Sequence, residues 1–167
     1  MSGTHRPGAS GPGLAGYSVF REALATGGCR LCALAGNRTR IVVDRGNPGA
    51  RAMAIGEAPG VEEDRRGLAF VGRGGRLFDQ LAREAAIEPD RDLLIANIVK
   101  CRPPDNRVPR PEEVAACLPY LRQQIELVQP VVIAFLGATA LRTLCPAMAR
   151  SAMRDLVGRL FADPEFP

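Results

Sequence analysis

Three short apolar runs, each followed by a stretch of helical periodicity, leave this chain few architectures. The runs are residues 52–55 (AMAI), 93–99 (LLIANIV) and 131–136 (VVIAFL). Their length and near-continuous apolarity suit strands buried on both faces. After the first, Leu77, Leu81 and Ala85 recur at helical spacing over residues 77–86. After the second, Pro111 opens a helix predicted to reach about Val128, with Glu112 and Glu113 in its first turn, where the helix dipole favours acids. After the third, Gly137 precedes a short helix over 138–144 closed by Pro146, and residues 148–161 also fit a helix. This alternation predicts an α/β fold with a small parallel sheet covered on both faces. Upstream, residues 17–26 read as an amphipathic helix with Phe20 and Leu24 on one side, stopped by Gly27 and Gly28. A short strand is expected at 41–43.

The 167 residues suit one compact domain, expected over 17–167, and a hydrophobic fraction of 46% suffices for a core. Residues 1–16 are rich in Gly, Pro and Ser and read as a disordered tail. They hold His5, the only histidine, which a floppy tail could not hold in place for catalysis. No apolar run is long enough to span a membrane, and the amino terminus lacks an apolar signal core, so a cytoplasmic monomer without membrane association is expected. The net charge is +4 and Lys100 is the only lysine among 22 basic residues. Arginine suits phosphate and base contacts. Codon usage in a GC-rich genome explains the skew equally well.

The stretch 52–75 concentrates chemistry. Pro59 and the glycines at 56 and 60 break the first strand, so Glu57 is predicted at its carboxyl end, where open α/β sheets place ligand crevices. Glu62, Glu63 and Asp64 follow, then Phe70 before Gly72, Gly74 and Gly75. A carboxylate, a ring and bare backbone amides could hold a planar polar ligand, although any strand-to-helix connection collects Gly, Pro and charge. The helix beginning near the glycines would offer free N–H groups to an anion. Asn97 is out of place within a buried strand, because a buried amide needs partners. Residues 100–110 (KCRPPDNRVPR) hold three prolines and read as a rigid basic loop on the same edge of the sheet. No GxGxxG or phosphate-loop lysine motif occurs, which argues against a nucleotide-binding protein.

Five cysteines are present. In a reducing compartment they more often bind metal or pack as apolar residues than form disulfides. Cys29 and Cys32 form a CxxC pair, half of a metal or cluster site. Cys101 and Cys117 follow after a long gap.

That cysteine pattern, taken with GEAPG at 56–60, EED at 62–64, FVG at 70–72 and NIVKCRPPDNR at 97–107, resembles the family 4 uracil-DNA glycosylases from about residue 29 to 137. The resemblance implies a three-layer αβα fold and a DNA repair hydrolase that breaks the N-glycosidic bond of uracil in DNA, the first step of base excision repair. It implies a [4Fe-4S] cluster held by Cys29, Cys32, Cys101 and Cys117. By spacing alone four thiolates on zinc would fit as well. Cys145 falls outside the pattern and is expected to be a core thiol.

On this resemblance Glu57 is the first catalytic candidate, positioning water and stabilising a cationic sugar. Glu63 is a second, or else a solvated loop charge. Gly56, Ala58, Phe70 and Asn97 would form the uracil pocket. Phe70 would stack on the flipped base and Asn97 read its edge, their alternatives being an ordinary core aromatic and a satisfied core amide. Lys100, Arg102 and Arg107 would contact phosphates. In one respect the chain departs from the family, whose C-terminal motif carries a histidine followed by proline, expected to donate to uracil O2. No histidine follows His5. The chain is therefore expected to be C-terminally incomplete or a natural variant, with the sheet lacking its last strand. A catalytically impaired iron–sulfur DNA-binding fragment is the alternative function.

Overall fold

A computed structural model describes residues 12–148 and 150–162. Helix α1 spans Pro12–Thr26 and so begins five residues before the expected domain start. Residues 1–11, with His5, lie outside the described part. Four strands follow: β1 (Arg45–Gly46), β2 (Ala52–Gly56), β3 (Leu93–Asn97) and β4 (Val132–Phe135). The helices between and after them are α2 (Val61–Arg66), α3 (Arg73–Glu84), α4 (Pro89–Asp92), α5 (Pro111–Val128), α6 (Ala138–Leu144) and α7 (Met153–Leu156). None of the described helices is long and apolar enough to cross a membrane.

The sheet order is β1-β3-β2-β4. Strand β2 pairs in parallel with both β3 and β4, as the alternation of strands and helices requires. The fourth strand differs from expectation. Residues 41–43 are buried but not in the ladder, and the pairing strand is the two-residue β1, antiparallel to β3. The sheet is therefore a parallel three-strand core with one antiparallel edge.

Successive residues of a strand face opposite sides, and the core divides accordingly. Met53, Ile55, Leu94 and Ala96 meet α1, α5 and α6 through Tyr17, Phe20, Leu121, Ile125 and Leu141. Ala54, Leu93 and Ile95 face a smaller cluster with Val42, Ala69 and, at its margin, Phe70 and Phe78. Every residue of β3 is buried, whereas β4 alternates exposed and half-buried residues, as the opposite edge.

Two helices depart from the predicted pattern. In α3 the inward residues are Gly75, Phe78 and Ala82, while Leu77 and Leu81 are exposed. The sequence holds two apolar stripes, and the one containing Phe78 meets the sheet. Among the described residues of 148–161, the α-helix is confined to the four-residue α7, after a 3-10 turn at Pro146–Met148.

Candidate active site and cysteine cluster

Register brings the first site residues together. Gly56 and Asn97, the last residues of β2 and β3, are direct partners. A side chain at position 56 would force its neighbours aside: a Cβ there would lie 2.5 Å from the tip of the Phe70 ring and 2.7 Å from Asn97 Oδ1. The ring thus lies against the bare backbone of the strand end, beside the amide. Phe70 has φ 54°, a left-handed conformation that costs a non-glycine residue about 1–3 kcal/mol and persists only where neighbours impose it. Asn97 is 1% exposed, and neither its Oδ1 nor its Nδ2 has a hydrogen-bond partner. A pocket of about 380 Å³ opens there, lined by Ala58, Gly60, Glu63, Phe70, Gly72 and Asn97 among others. Leaving such an amide unpaired costs about 1–3 kcal/mol, which makes Asn97 a candidate for recognising a ligand in this concave site.

The two candidate carboxylates part company. Glu57 is half-buried just past β2, and its Oε2 accepts a 2.5 Å hydrogen bond from the Thr139 hydroxyl in the first turn of α6. Glu63 is 8% exposed and fully engaged. Its Oε1 accepts from the backbone N–H of Val71 and Gly72 at 2.9 and 2.6 Å, and its Oε2 from Gly60 at 3.1 Å. It is neither a solvated charge nor free to act on a substrate. It ties the start of α2 to the start of α3 and so shapes the pocket wall. Asp64 does similar work, accepting from the N–H groups of Thr39 and Arg40. Of the three adjacent acids only Glu62 remains outward, where its bond with Arg65 lowers its pKa.

The basic loop is less basic toward solvent than its composition implies. Lys100 is 1% exposed and turned inward. Its Nζ donates to the Asn97 carbonyl at 2.9 Å and to Gln124 Oε1. Burial lowers its pKa to about 8. Gln124 in turn donates to the Tyr17 hydroxyl, which donates to Asp44 at 2.6 Å. This internal chain of polar groups removes Lys100 from the phosphate-binding set. Arg107 is also withdrawn: it forks onto Glu113 at 2.8 and 2.7 Å. The guanidinium holds the Glu113 carboxyl down to about 2. Arg102 bonds Asn106 through Nε at an exposed site and remains a phosphate candidate.

Cys29, Cys32, Cys101 and Cys117 line one pocket together with Arg38 and Tyr120. Three of the four sulfurs receive hydrogen bonds. Arg38 Nη1 donates to Cys101 Sγ at 3.4 Å, the Lys100 N–H to Cys117 Sγ at 3.2 Å and the Tyr120 hydroxyl to Cys29 Sγ at 3.5 Å. Burial pushes the Cys101 thiol up to about 11 and raises that of Cys117. Among the described residues no three His, Cys, Asp or Glu side chains converge to grip a single metal ion. A four-iron cluster bonds each thiolate to a different iron and does not need that convergence. Soft sulfur donors with N–H and O–H groups aimed at them fit such a group. Cys145 is buried in the main core, as expected.

A family model described as the uracil DNA glycosylase superfamily matches residues 43–164. A type-4 uracil-DNA glycosylase from Thermotoga maritima is 53% identical over 113 residues, covering 68% of this chain and 58% of the relative. Type-4 enzymes from Sulfurisphaera tokodaii and Pyrobaculum aerophilum are 46% and 40% identical, over 65% and 80% of this chain. They are covered over 50% and 68% of their own length.

The chain belongs to the type-4 uracil-DNA glycosylases.

It spans about half to two thirds of the length of these relatives. Within this type-4 domain several supporting residues carried no sequence signal. Thr139 is one of five threonines, undistinguished until the fold sets it against Glu57. Arg38 and Tyr120 lie outside the cysteine motifs and reach the sulfurs only in three dimensions. The structural ties of Glu63 and Asp64 were not legible either, because the six-residue α2 was not anticipated.

Proposed function

We propose that this chain carries a uracil-excising centre, which hydrolyses the N-glycosidic bond of uracil in DNA and leaves an abasic site. The observation that carries this reading is the unpaired Asn97 amide beside Phe70 in a concave pocket at the strand ends. Uracil accepts at O4 and donates at N3–H. One amide can satisfy both, and cytosine reverses the pattern. Flipping the nucleotide out of a duplex costs a few kcal/mol. Stacking on Phe70, worth about 1–3 kcal/mol per base, offsets much of that cost.

Glu57 supplies the charge at the reacting bond. Its carboxylate, steadied by Thr139, orients a water and opposes the positive charge that develops on the sugar. Glu63 acts indirectly, by fixing the loop. Of Lys100, Arg102 and Arg107, Arg102 is the one left suited to a DNA phosphate.

Cys29, Cys32, Cys101 and Cys117 would hold a [4Fe-4S] cluster. Bound there, it supplies four metal–thiolate bonds that tie the segment at 29–32 to the basic loop and α5. Arg38 and Tyr120 donate to its sulfur ligands.

An oligonucleotide with one uracil, treated with alkali after incubation, tests the function. The expected result is strand cleavage at uracil and none at cytosine or thymine. Absence of product at stoichiometric enzyme defeats it. Retained affinity for uracil-containing DNA with no product would select a second reading, binding without turnover.

A further inference from the structure

The ring that would carry the base is held by a residue outside the pocket wall. Phe70 keeps its left-handed backbone under three constraints. Phe78 meets its ring edge-on at 5.8 Å. Gly75, in the first turn of α3, lies so close that a Cβ there would be 1.9 Å from the Phe70 carbonyl oxygen. Arg45 Nη1 donates to that same oxygen at 2.6 Å.

Arg45 is itself immobilised. Its backbone pairs with Ile95, two residues before Asn97. Its Nη2 bonds Asp79 Oδ1 at 2.5 Å and its Nε lies 3.0 Å from Asp90 Oδ1. The side chain is only 11% exposed, so it is not presented to DNA. The preceding residue acts in the same sense, as the Asp44 carbonyl accepts from the Ala69 N–H at 3.4 Å. The short antiparallel edge strand thus grips residues 69 and 70 and references them to the strand that carries the base reader.

We propose that Arg45 is a positioning residue for Phe70: by holding its carbonyl, it sets the ring against Gly56 beside Asn97 and thereby the affinity for an everted uracil. The proposal rests on the uracil-excision reading above. Without the guanidinium, a part-buried carbonyl loses a charged donor and φ can relax to the extended or right-handed region. Either change turns the Cα–Cβ bond and carries the ring away from Gly56. Stacking acts on the bound base before and during bond breaking alike, so its loss appears in KM more than in kcat.

The test is a double-mutant cycle on a uracil-containing oligonucleotide. Arg45→Met, which keeps the apolar stem, is expected to raise KM about tenfold while kcat changes less than about twofold. Arg45→Lys, which retains one donor, should recover part of the loss. In a Phe70→Ala background Arg45→Met should add nothing, because the group it positions is gone. A merely structural arginine would penalise both backgrounds equally. That outcome, or an unchanged KM in Arg45→Met, overturns the proposal. Should Arg45→Met fail to fold, Asp79→Asn loosens the same anchor and enters the same cycle with the same criteria. If the wild-type protein yields no abasic product, the excision reading itself has failed. Dissociation constants for uracil-containing DNA then replace KM in the cycle.

Discussion

Asn97 shows at the scale of one residue how a site is set against stability. Its amide is buried without partners, so an apolar side chain of similar size removes two unsatisfied groups. We expect Asn97→Leu to stabilise the free protein by about 1–3 kcal/mol while abolishing uracil excision. Thermal denaturation and the alkali-cleavage assay on the same preparation check both halves, and a destabilised variant would contradict the account. The carboxylates give a second comparison. Glu57→Gln should lower kcat about 10²-fold or more, and Thr139→Val, which removes only the steadying hydroxyl, about tenfold; KM should change little in either. Equal effects of the two substitutions would show that Thr139 does more than orient. Sequence reasoning found Asn97 because an amide is anomalous in a buried strand. It misjudged Lys100 because a cation in a basic loop looks solvated, and only the packed position of Gln124 reveals where the amine points.

Among the elements, α5 and α2 are started by acids that their own loops need. Glu113 accepts from the Arg110 N–H and from the Arg107 fork. Its pKa is depressed, so the stabilisation is present above the usual carboxylate range and is lost as pH falls toward about 2. Glu113→Gln should therefore flatten the acid limb of a melting-temperature profile; an unaltered limb would assign the acid sensitivity elsewhere. For α2, Glu63→Ala strips the acceptor from three backbone N–H groups. A loss of about 1–3 kcal/mol is expected, together with reduced uracil affinity. The longer elements were legible because periodicity accumulates with length: α5 runs over the predicted residues, and the three parallel strands match to within a residue or two. β1, α2 and α7 show neither a helical period nor a continuous apolar run. They form because neighbouring elements hold them.

For the molecule as a whole, a cluster held by the four cysteines as proposed would make metal binding and folding one equilibrium. Anaerobic reconstitution should give a brown protein that melts at higher temperature than the apo form, and Cys117→Ser should lose both colour and that increment. A colourless protein, or a coloured one with no gain in melting temperature, would separate the cysteines from the role assigned to them. The α/β topology could be read from spacing, and the cysteine grouping from the resemblance to the family. What could not be read was how the polar side chains partition between solvent and interior, since that depends on contacts between residues far apart in sequence. Tyr17, Asp44, Lys100 and Gln124 are distant in the chain yet form one buried relay.

That relay has a practical consequence. The only ε-amine in the polypeptide is sealed inside it, so acylating reagents aimed at amines find no lysine on the native surface. Coupling at position 100 therefore reports opening of the core. A pulse of such a reagent, followed by mass spectrometry of the peptide, becomes a clock for unfolding.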